Sequence, residues 1–240
     1  MYLLGIDLET TGIDPDTSEI IEVGYMIWDT DASCPVLLGS HLVRSENPIP
    51  AEIEKMTNLS SYYLDRFGVA VESAVQHLSR LATKCDYYVG HNAINFDRKY
   101  LSKVARESGI KFPKKYWIDT MMDLPFPSGL RTRKLDYLAV EHKISVINSH
   151  RAVFDLMTTM KLLEKYGWDD VIARAKTGLV KLIAETSFEE KEKVKMDGFK
   201  WDSQNRQWVK TMRLYDAKKL SFGFKYRSDR KSTRLNSSHQ

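Results

Sequence analysis

Residues 5–12 read GIDLETTG, directly after the apolar start MYLL. Because successive side chains of a β-strand point to opposite faces, Asp7 and Glu9 project from the same face of one strand. Two neighbouring carboxylates repel each other when both are ionised, and a divalent cation that prefers oxygen ligands, typically Mg²⁺ or Mn²⁺, removes that repulsion. The stretch therefore predicts an N-terminal strand that ends at a metal site. For a pair of acids alone, the alternative is an edge strand with solvated side chains.

A second acidic motif occurs in residues 89–101, VGHNAINFDRKYL. The apolar residues before the Gly-His-Asn turn predict a short strand, and the residues after the turn predict a helix. Asp97 lies near the start of that helix, which makes it a third candidate metal ligand.

A third motif, residues 149–155, reads SHRAVFD. We expect Ser149 to be the N-cap of a helix that continues to about residue 166, with His150 at its start. Asp155 follows on the same helix. The chain thus offers four carboxylates and one histidine in the order strand, helix, helix.

In this order and spacing the three motifs resemble the DEDD exonuclease superfamily, and within it the DEDDh branch of DnaQ-like 3′-5′ exonucleases. That group includes the proofreading ε subunit of bacterial DNA polymerase III and ribonuclease T, and the chain is similar to its bacterial and phage members. DLETTG, GHNAINFD and HRAVFD match the three family motifs. A histidine five residues before the last aspartate, rather than a tyrosine four residues before it, is typical of the DEDDh branch. The resemblance covers roughly residues 1–167.

The resemblance implies a metal-dependent 3′-5′ exonuclease that hydrolyses phosphodiester bonds at nucleic-acid 3′ ends and releases nucleoside 5′-monophosphates. Two divalent ions, Mg²⁺ or Mn²⁺, are implied about 4 Å apart. The implied metal ligands are Asp7, Glu9, Asp97 and Asp155. His150 is the implied general base, since a free imidazole has a pKa of about 6.5, near neutrality. The implied contacts to the terminal nucleotide come from Thr10, Thr11, Asn92 and Phe96.

Three functions remain open at the level of the sequence. Single-stranded DNA 3′ ends are the favoured substrate, and a DNA polymerase is a possible partner. RNA is the alternative substrate, as in ribonuclease T, because no residue can be assigned to reading a 2′-hydroxyl. The third function is that of a non-cutting polymerase-accessory or nucleic-acid-binding protein, and the presence of all five catalytic positions argues against it.

Some residues near these motifs have alternative roles. Phe96 is either a nucleotide contact or an aromatic residue packed under the helix. His91 is expected to hold the Gly-His-Asn turn rather than to take part in catalysis. Asp119, in WIDT after another short apolar stretch, is expected to be structural or to support the metal ligands.

The coarse pattern predicts an α/β fold. Strands are expected near residues 2–8, 20–28, 36–43 and 86–90, and helices near 69–84, 96–108, 131–142 and 150–166. Three successive strands followed by alternating elements favour a mixed five-stranded sheet flanked by helices, the ribonuclease H-like arrangement that the resemblance also implies. The metal site is then expected where the end of the first strand meets two helices.

The character of the chain changes after residue 167. Residues 178–228 predict a small α+β module of β-α-β-β order: a strand over 179–185, a helix that a Ser187–Glu190 capping box begins, and a hairpin across DSQNR. This module resembles a small basic, aromatic module appended to some bacterial and phage exonucleases.

Positive charge is concentrated in this part of the chain. Residues 198–240 contain 11 Lys and Arg against 3 Asp and Glu, so the formal net charge of +4 leaves −4 for the first 197 residues. One interpretation is a hairpin that stacks bases and follows a phosphate backbone. Its aromatic residues would be Phe199, Trp201 and Trp208, and its cations Lys200, Arg206 and Lys210. The alternative, which we favour, is that the aromatic residues form the core of a very small module.

Residues 229–240 begin DRKSTRLNSSH and resemble the in-frame translation of a sequencing-library adapter. We interpret them as an adapter-derived, non-native tail without a fold. On this interpretation, the natural C-terminus is missing.

Length and composition indicate one full domain with a small appendage. The chain has 240 residues, of which 42% are hydrophobic, enough to bury a sizeable core. MYLLGI is too short for a signal peptide and lacks its basic start, and no segment indicates a membrane span. Cys34 and Cys85 form no CxxC pair, which suits a reduced cytoplasm. A cytoplasmic location is expected.

Overall fold

The computed structural model describes residues 1–126 and 130–229, and the chain divides into two compact units between residues 168 and 169. The first unit contains one sheet and the helices around it. Its strands are β1 (Tyr2–Thr10), β2 (Ile20–Asp29), β3 (Cys34–Leu42), β4 (Tyr87–Gly90) and β5 (Trp117–Asp119). Its helices are α1 (Ala51–Thr57), α2 (Ser61–Phe67), α3 (Val71–Ala82), α4 (Asp97–Glu107), α5 (Thr120–Asp123), α6 (Leu135–Glu141) and α7 (Ala152–Leu163).

The sheet is mixed, with the strand order β3-β2-β1-β4-β5. β1 pairs antiparallel with β2, which in turn pairs antiparallel with β3. On its other side β1 pairs parallel with β4, and β4 pairs parallel with β5. The predicted five-stranded mixed sheet flanked by helices is therefore confirmed, with β1 at its centre.

The two faces of β1 contact different helices. Its three central even-numbered residues belong to a hydrophobic cluster that also contains residues of α3 and α4. On the odd-numbered face, a Cβ added to Gly5 would lie 2.6 Å from Cε of Met160 in α7. Asp7 and Glu9 continue this second face by strand alternation. The paired acids therefore face α7.

The start of α7 differs from the prediction. The predicted N-cap role of Ser149 is wrong, because its hydroxyl donates to Asp136 Oδ1 at 3.0 Å. Asn148 and His150 have φ values of +48° and +64°, which are not helical, so the helix begins only at Ala152. The residue in the N-cap position makes no side-chain capping hydrogen bond.

The coarse pattern does not predict α1 and α2, which lie between β3 and α3. Each has seven residues, so few apolar positions are available to show a helical period. Leu59 and Leu64 from this region pack with Ile21 and Ile49 in a small buried cluster.

The second unit is a four-stranded antiparallel sheet of the order β7-β8-β6-β9. Its strands are β6 (Leu179–Ala184), β7 (Lys200–Asp202), β8 (Gln207–Arg213) and β9 (Tyr226–Asp229). Its helices are α8 (Trp168–Ala175), which begins at the last residue of the first unit, α9 (Lys191–Met196) and α10 (Leu214–Ala217). The predicted β-α-β-β series is present as β6, α9, β7 and β8, and the structure adds α8, α10 and β9. The domain limits drawn from the sequence stay predictions.

The predicted capping box of α9 is wrong. A 3₁₀ turn, Phe188–Glu190, precedes the helix, and Glu190 occupies its N-cap position without a side-chain capping hydrogen bond. The first turn is therefore wound more tightly than an α-helix, so Ser187 is not the residue that caps α9.

The aromatic residues of the second unit are divided between core and surface. Phe199 is 3% exposed and belongs to the core cluster, which Trp208 also packs against. Lys210 is drawn into the same region, where Nζ donates to the Asp197 carbonyl at 2.6 Å. Trp201 is 52% exposed. The core interpretation is thus correct for Phe199, and Trp201 lies on the surface.

Two further predictions concern the membrane and the tail. Among the helices formed by residues 1–126 and 130–229, none combines the length and the apolar character that a membrane-spanning helix needs. Asp229 is the last residue of β9, so it belongs to a strand rather than to an unfolded tail. The rest of the predicted tail, residues 230–240, lies outside the described residues.

Candidate metal centre

Three carboxylates meet at the end of β1. One carboxylate oxygen from each of Asp7, Glu9 and Asp155 lies within 4.8 Å of the other two. Asp7 and Glu9 come from the face of β1 that α7 covers, and Asp155 comes from the first turn of α7. The tertiary structure therefore brings the first and third acidic motifs together.

Asp97 lies beside this group, at the start of α4. It is 2% exposed, and its Oδ1 accepts the backbone N–H of Leu8 at 2.8 Å. The parallel ladder between β1 and β4 ends at the pair Gly5 and Val89, so β1 extends beyond its neighbour and Asp97 binds the free edge. Among the charges near Asp7, that of Asp97 acts most strongly. The second motif thus also reaches the site.

The first turn of α7 packs tightly against Gly24 of β2. Gly24 lies opposite Asp7 in the antiparallel register. A Cβ added to Gly24 would lie 2.5 Å from Cβ of Ala152 and 3.0 Å from the Ala152 carbonyl carbon. Only glycine leaves room here for the first turn of α7, the turn that carries Asp155.

We expect Gly24→Ala to displace the first turn of α7 and to weaken the metal centre. Overpacking of this kind costs about 1–3 kcal/mol of folding stability. Thermal unfolding in EDTA and in Mg²⁺ measures both effects, and we expect a lower melting temperature and a smaller Mg²⁺-induced increase. Gly167→Ala is the matched control, since apart from its chain neighbours no atom of the described residues lies within 4 Å of its added Cβ. A Gly24→Ala protein that responds to Mg²⁺ like the wild type would contradict this account.

Burial raises the pKa values of all four carboxyls, and repulsion from the other carboxylates raises those of Asp7 and Glu9 further. Burial, and then the charge of Asp97, raises the pKa of Asp7 well above its usual range. The pKa of Glu9 rises to about 8, mainly through burial and then through the charge of Asp155. Burial raises the pKa of Asp155 to about 6, and it also raises the pKa of Asp97. The ionised forms are therefore disfavoured unless a cation compensates them.

The donor atoms suit a hard divalent ion. Asp155 Oδ1 is buried and has no hydrogen-bond partner among the described residues. A buried polar oxygen without a partner is costly, and a cation that accepts oxygen ligands satisfies it. A set of carboxylate oxygens alone suits Mg²⁺ or Mn²⁺ better than softer metals. The residues present therefore fit the predicted ions.

His150 lies directly next to the carboxylate group. Its backbone N–H donates to Asp155 Oδ2 at 3.1 Å, and the residue is exposed. Its φ of +64° is unfavourable for a residue with a Cβ, and such strain occurs preferentially at functional sites. This conformation keeps His150 outside α7 and accessible beside a candidate metal ligand.

Asp119 holds the loop that leads to Asp97. It is fully buried, and its carboxylate accepts the backbone N–H groups of Asn92 at 2.9 Å and Ile94 at 3.0 Å. It also accepts the N–H of Met121 at 3.0 Å and so caps α5. These bonds agree with the structural role expected for Asp119.

His91 ties the same loop to two other segments. One ring nitrogen lies 2.8 Å from Thr120 Oγ1 and the other lies 2.8 Å from the Arg133 carbonyl. Burial lowers the pKa of His91 to about 4, so the ring stays neutral at physiological pH. The prediction that His91 holds the turn agrees with these contacts.

The predicted nucleotide contacts lie around the end of β1 and the loop before α4. Thr10 is buried, and its hydroxyl donates to the Gly12 carbonyl. Thr11 donates its N–H to the Glu19 carbonyl and accepts the Glu19 N–H with its hydroxyl, both at 2.9 Å. The two threonines thus shape the turn after β1, and their contact with a nucleotide stays a prediction.

Asn92 and Phe96 are the other two predicted contacts. Asn92 has a φ of +60° and accepts Asn95 Nδ2 at 3.2 Å with its side-chain oxygen. Phe96 packs against the main hydrophobic cluster, with its ring centroid 5.1 Å from that of Tyr100. These contacts favour packing as the role of Phe96.

Sequence reasoning missed two charged residues at this site, Glu22 and Arg151. Glu22 lies opposite Glu9 in the register of β1 and β2 and is 1% exposed. The Arg151 guanidinium donates to both Glu22 oxygens, at 3.0 and 3.1 Å. One signal was present in the sequence: Glu22 is a single acid inside the apolar strand IIEVGYMIW, and a buried acid requires a partner.

The chain matches known exonucleases in sequence. Residues 4–163 match the RNase_T family, which is described as an exonuclease family. The 3′-5′ exonuclease DinG of Staphylococcus epidermidis is 32% identical over 168 residues, and that of Staphylococcus haemolyticus is 30% identical over 164 residues. Each alignment covers 67% of this chain and 17% of the relative. The chain therefore spans about a sixth of the length of these relatives.

Solved structures share the fold at low sequence identity. Exonuclease X in complex with 5′ overhanging duplex DNA has a TM-score of 0.54 and 24% identity, over 68% of this chain and 89% of that one. E. coli Exonuclease I in complex with a dT13 oligonucleotide has a TM-score of 0.59 and 12% identity, over 76% and 48%. A 3′-exonuclease that recognises the histone mRNA stem-loop has a TM-score of 0.56 and 19% identity, over 68% and 62%.

These similarities confirm the predicted ribonuclease H-like arrangement and the predicted exonuclease family. The family match runs from β1 to the end of α7 and so includes every element that builds the carboxylate group. The chain belongs to the RNase_T exonuclease family.

Proposed function

We propose that the protein is a metal-dependent 3′-5′ exonuclease of the DEDDh type. The observation that carries the proposal is the approach of Asp7, Glu9 and Asp155 to within 4.8 Å, inside the stretch that matches an exonuclease family. Asp97 beside Asp7 and His150 beside Asp155 complete the set that the resemblance implies.

Each residue has a distinct part in the proposed reaction. Asp7, Glu9, Asp97 and Asp155 would hold two divalent ions, Mg²⁺ or Mn²⁺. When bound, such ions supply Lewis acidity at the scissile phosphate and a more acidic attacking water. His150, exposed next to Asp155, accepts the proton of that water and passes it to solvent. The water oxygen forms a bond to phosphorus, the bond between phosphorus and the 3′ oxygen of the preceding nucleotide breaks, and that oxygen takes a proton from solvent. A nucleoside 5′-monophosphate leaves.

We propose DNA 3′ ends as the favoured substrate and RNA as the alternative. Exonuclease X and Exonuclease I, which share the fold, are described in complex with DNA, whereas a third relative in fold recognises an RNA stem-loop. A polymerase partner and a cytoplasmic location stay predictions from the sequence.

Digestion of matched 5′-labelled DNA and RNA single strands tests the activity and the preferred polymer together. With Mg²⁺ we expect a ladder of products shortened from the 3′ end, and no products in EDTA. At equal times the DNA strand should be digested further than the RNA strand. His150→Ala removes the proton acceptor, so we expect a rate about 10²- to 10⁴-fold lower. His77→Ala, on α3, is the control histidine variant. Intact strands after incubation with folded protein and Mg²⁺ would favour the non-cutting accessory function.

We further propose that the β7–β8 hairpin of the second unit binds single strands through Trp201. This indole is 52% exposed at a ring-centroid distance of 5.4 Å from Trp208, and the same hairpin carries the exposed cations Lys200 and Arg206. Stacking of one base is worth about 1–3 kcal/mol. We therefore expect Trp201→Ala to raise the Kd for a labelled strand in EDTA about 10-fold by fluorescence anisotropy. Met196→Ala, at an apolar side chain that is 88% exposed, is the control, and equal effects of both variants would contradict the proposal.

A further inference from the structure

We propose that Glu22 and Arg151 are positioning residues that hold the first turn of α7 over β1, and thereby set the places of His150 and Asp155. The inference rests on the proposed function, because it concerns the same carboxylate site. It assigns a role to an ion pair between a buried glutamate and a partly exposed arginine, neither of which acts in the proposed reaction.

The first observation is the geometry of the ion pair between Glu22 and Arg151. Arg151 Nε lies 3.0 Å from Glu22 Oε2, and Nη2 lies 3.1 Å from Glu22 Oε1, so the planar guanidinium and the carboxylate form two parallel hydrogen bonds. A bidentate pair fixes orientation as well as distance, which a lysine ammonium cannot do. Glu22 is 1% exposed and the Arg151 side chain is 34% exposed, so water competes weakly for the carboxylate.

The second observation is that Glu22 caps the helix from another strand. The N-cap residue of α7 provides no side-chain capping bond, and the backbone N–H of Ala152 instead donates to Glu22 Oε2 at 3.3 Å. A negative charge is favourable at a helix N-terminus, where N–H groups lack partners. Glu22 thus replaces a local cap with one that is 130 residues away in the chain. The start of α7 is therefore held to β2 as well as to its own preceding loop, where the His150 N–H donates to Asp155.

The third observation is where this anchor lies. Arg151 follows His150 directly, and Asp155 lies one helical turn further along α7. On the strand side, Glu22 is opposite Glu9 and two residues from Gly24, against which the first turn of α7 packs. The anchor therefore connects both sides of the carboxylate group, and a loosened start of α7 moves His150 and Asp155 together.

The charges agree with this assignment. Five carboxylates converge here: Asp7, Glu9, Glu22, Asp97 and Asp155. Arg151 pairs with one of them, so four negative charges remain for two divalent cations. Glu22 can therefore be anchored inside the protein without competing for the proposed ions.

Arg151→Lys is the decisive variant, because it keeps the positive charge but removes the guanidinium that makes two parallel hydrogen bonds to Glu22. We expect kcat to fall about 10- to 100-fold, the loss typical when a residue that orients a metal ligand is replaced. KM for a DNA strand should change less than 3-fold, since the pair does not hold the strand. The Mg²⁺ concentration for half-maximal rate should rise at least 10-fold. Glu22→Gln keeps the shape and removes the charge, and it should change kcat and Mg²⁺ dependence in the same direction.

Arg174→Lys is the matched control. Arg174 is a buried arginine, 8% exposed, that also pairs with carboxylates, Asp170 and Asp216, but it lies in the second unit. We expect it to lower thermal stability and to leave kcat unchanged. Wild-type kcat and Mg²⁺ dependence in both Arg151→Lys and Glu22→Gln would overturn the proposal, even if both variants melt earlier.

The Mg²⁺-induced increase in melting temperature provides a readout that does not depend on hydrolysis. Arg151→Lys and Glu22→Gln should both show a smaller increase than the wild type. If the wild-type protein cuts neither polymer but this difference persists, the proposed function fails and the positioning role stands. If the wild type cuts and the increase is the same in all three proteins, the positioning role fails alone.

Discussion

Asp7→Asn is expected to lower kcat about 10³-fold and at the same time to raise the thermal stability of the metal-free protein. Metal ions contribute several kcal/mol of transition-state stabilisation in such reactions, and ~1.4 kcal/mol corresponds to a tenfold change in rate. Asp7 is central to the loss, because its carboxylate belongs to the group that converges within 4.8 Å.

The gain in stability has a separate cause. Burial and the charges of Asp97, Glu9, Asp155 and Glu22 all raise the pKa of Asp7. Its ionised form therefore destabilises the metal-free folded protein. An amide of the same shape removes one charge from this repulsion. Substitution of a functional residue that destabilises the folded protein commonly increases stability and decreases activity.

Thermal unfolding in EDTA and single-strand digestion in Mg²⁺ test the two effects on the same protein samples. Asp16→Asn is the control, since Asp16 is an exposed aspartate in the loop after β1. An Asp7→Asn protein that retains more than a tenth of wild-type kcat would show that Asp7 is dispensable for the reaction. An equally active but less stable variant would contradict both parts of the prediction.

The stability of the metal-free protein is expected to fall as pH rises from about 5 to about 8.5. The pKa of Glu9 is about 8 and that of Asp155 about 6 in the folded protein, both above their ordinary values, chiefly through burial. Because the folded state binds more protons than the unfolded state in this range, the free energy of unfolding decreases with pH. Each pKa unit is worth ~1.4 kcal/mol, so we expect a total decrease of about 3 kcal/mol or more.

Mg²⁺ is expected to reverse most of this decrease. Carboxylates must be deprotonated to bind the ion, so Mg²⁺ binding strengthens as pH rises and releases protons. At about 100 times its Kd, a ligand that binds only the folded state adds ~2.7 kcal/mol. Denaturant unfolding at pH 5, 7 and 8.5, in EDTA and in Mg²⁺, measures both trends.

Glu9→Gln should flatten the pH dependence in EDTA, because the substitution removes the carboxyl with a pKa of about 8. Glu52→Gln, at an exposed acid in the first turn of α1, is the control and should leave the pH dependence unchanged. A metal-free protein whose stability is constant, or increases, between pH 5 and pH 8.5 would contradict the raised pKa values of Glu9 and Asp155.

The local pattern of the sequence was sufficient for the fold class and for the candidate ligands. β1 was predicted at residues 2–8 and extends over Tyr2–Thr10, and its paired acids share one face because strand side chains alternate. Asp97 begins α4 close to where the turn signal placed it. These features depend on the alternation of side chains and on turn residues only a few positions away, so a short stretch of sequence is enough to predict them.

The helix starts show where such windows are insufficient. Ser149 has the chemistry of an N-cap, yet α7 is capped by Glu22 from β2. In the second unit, Phe199 and Trp201 read alike as aromatic hairpin residues, but one is buried and the other is half exposed. A cap and a burial state depend on which groups the rest of the chain brings near, and nothing within a few residues specifies this.

By itself, therefore, the sequence determined the candidate residues of the site: three acidic motifs, one histidine and a strand that presents two carboxylates on one face. Only the tertiary structure decided how they meet, through a glycine that admits the first turn of α7 and an ion pair 129 residues apart that holds it. The physical reason is one of range. The periods of strands and helices arise from the geometry of neighbouring residues. The closeness of the carboxylates, and the Glu22–Arg151 ion pair beside them, arise from packing between distant segments.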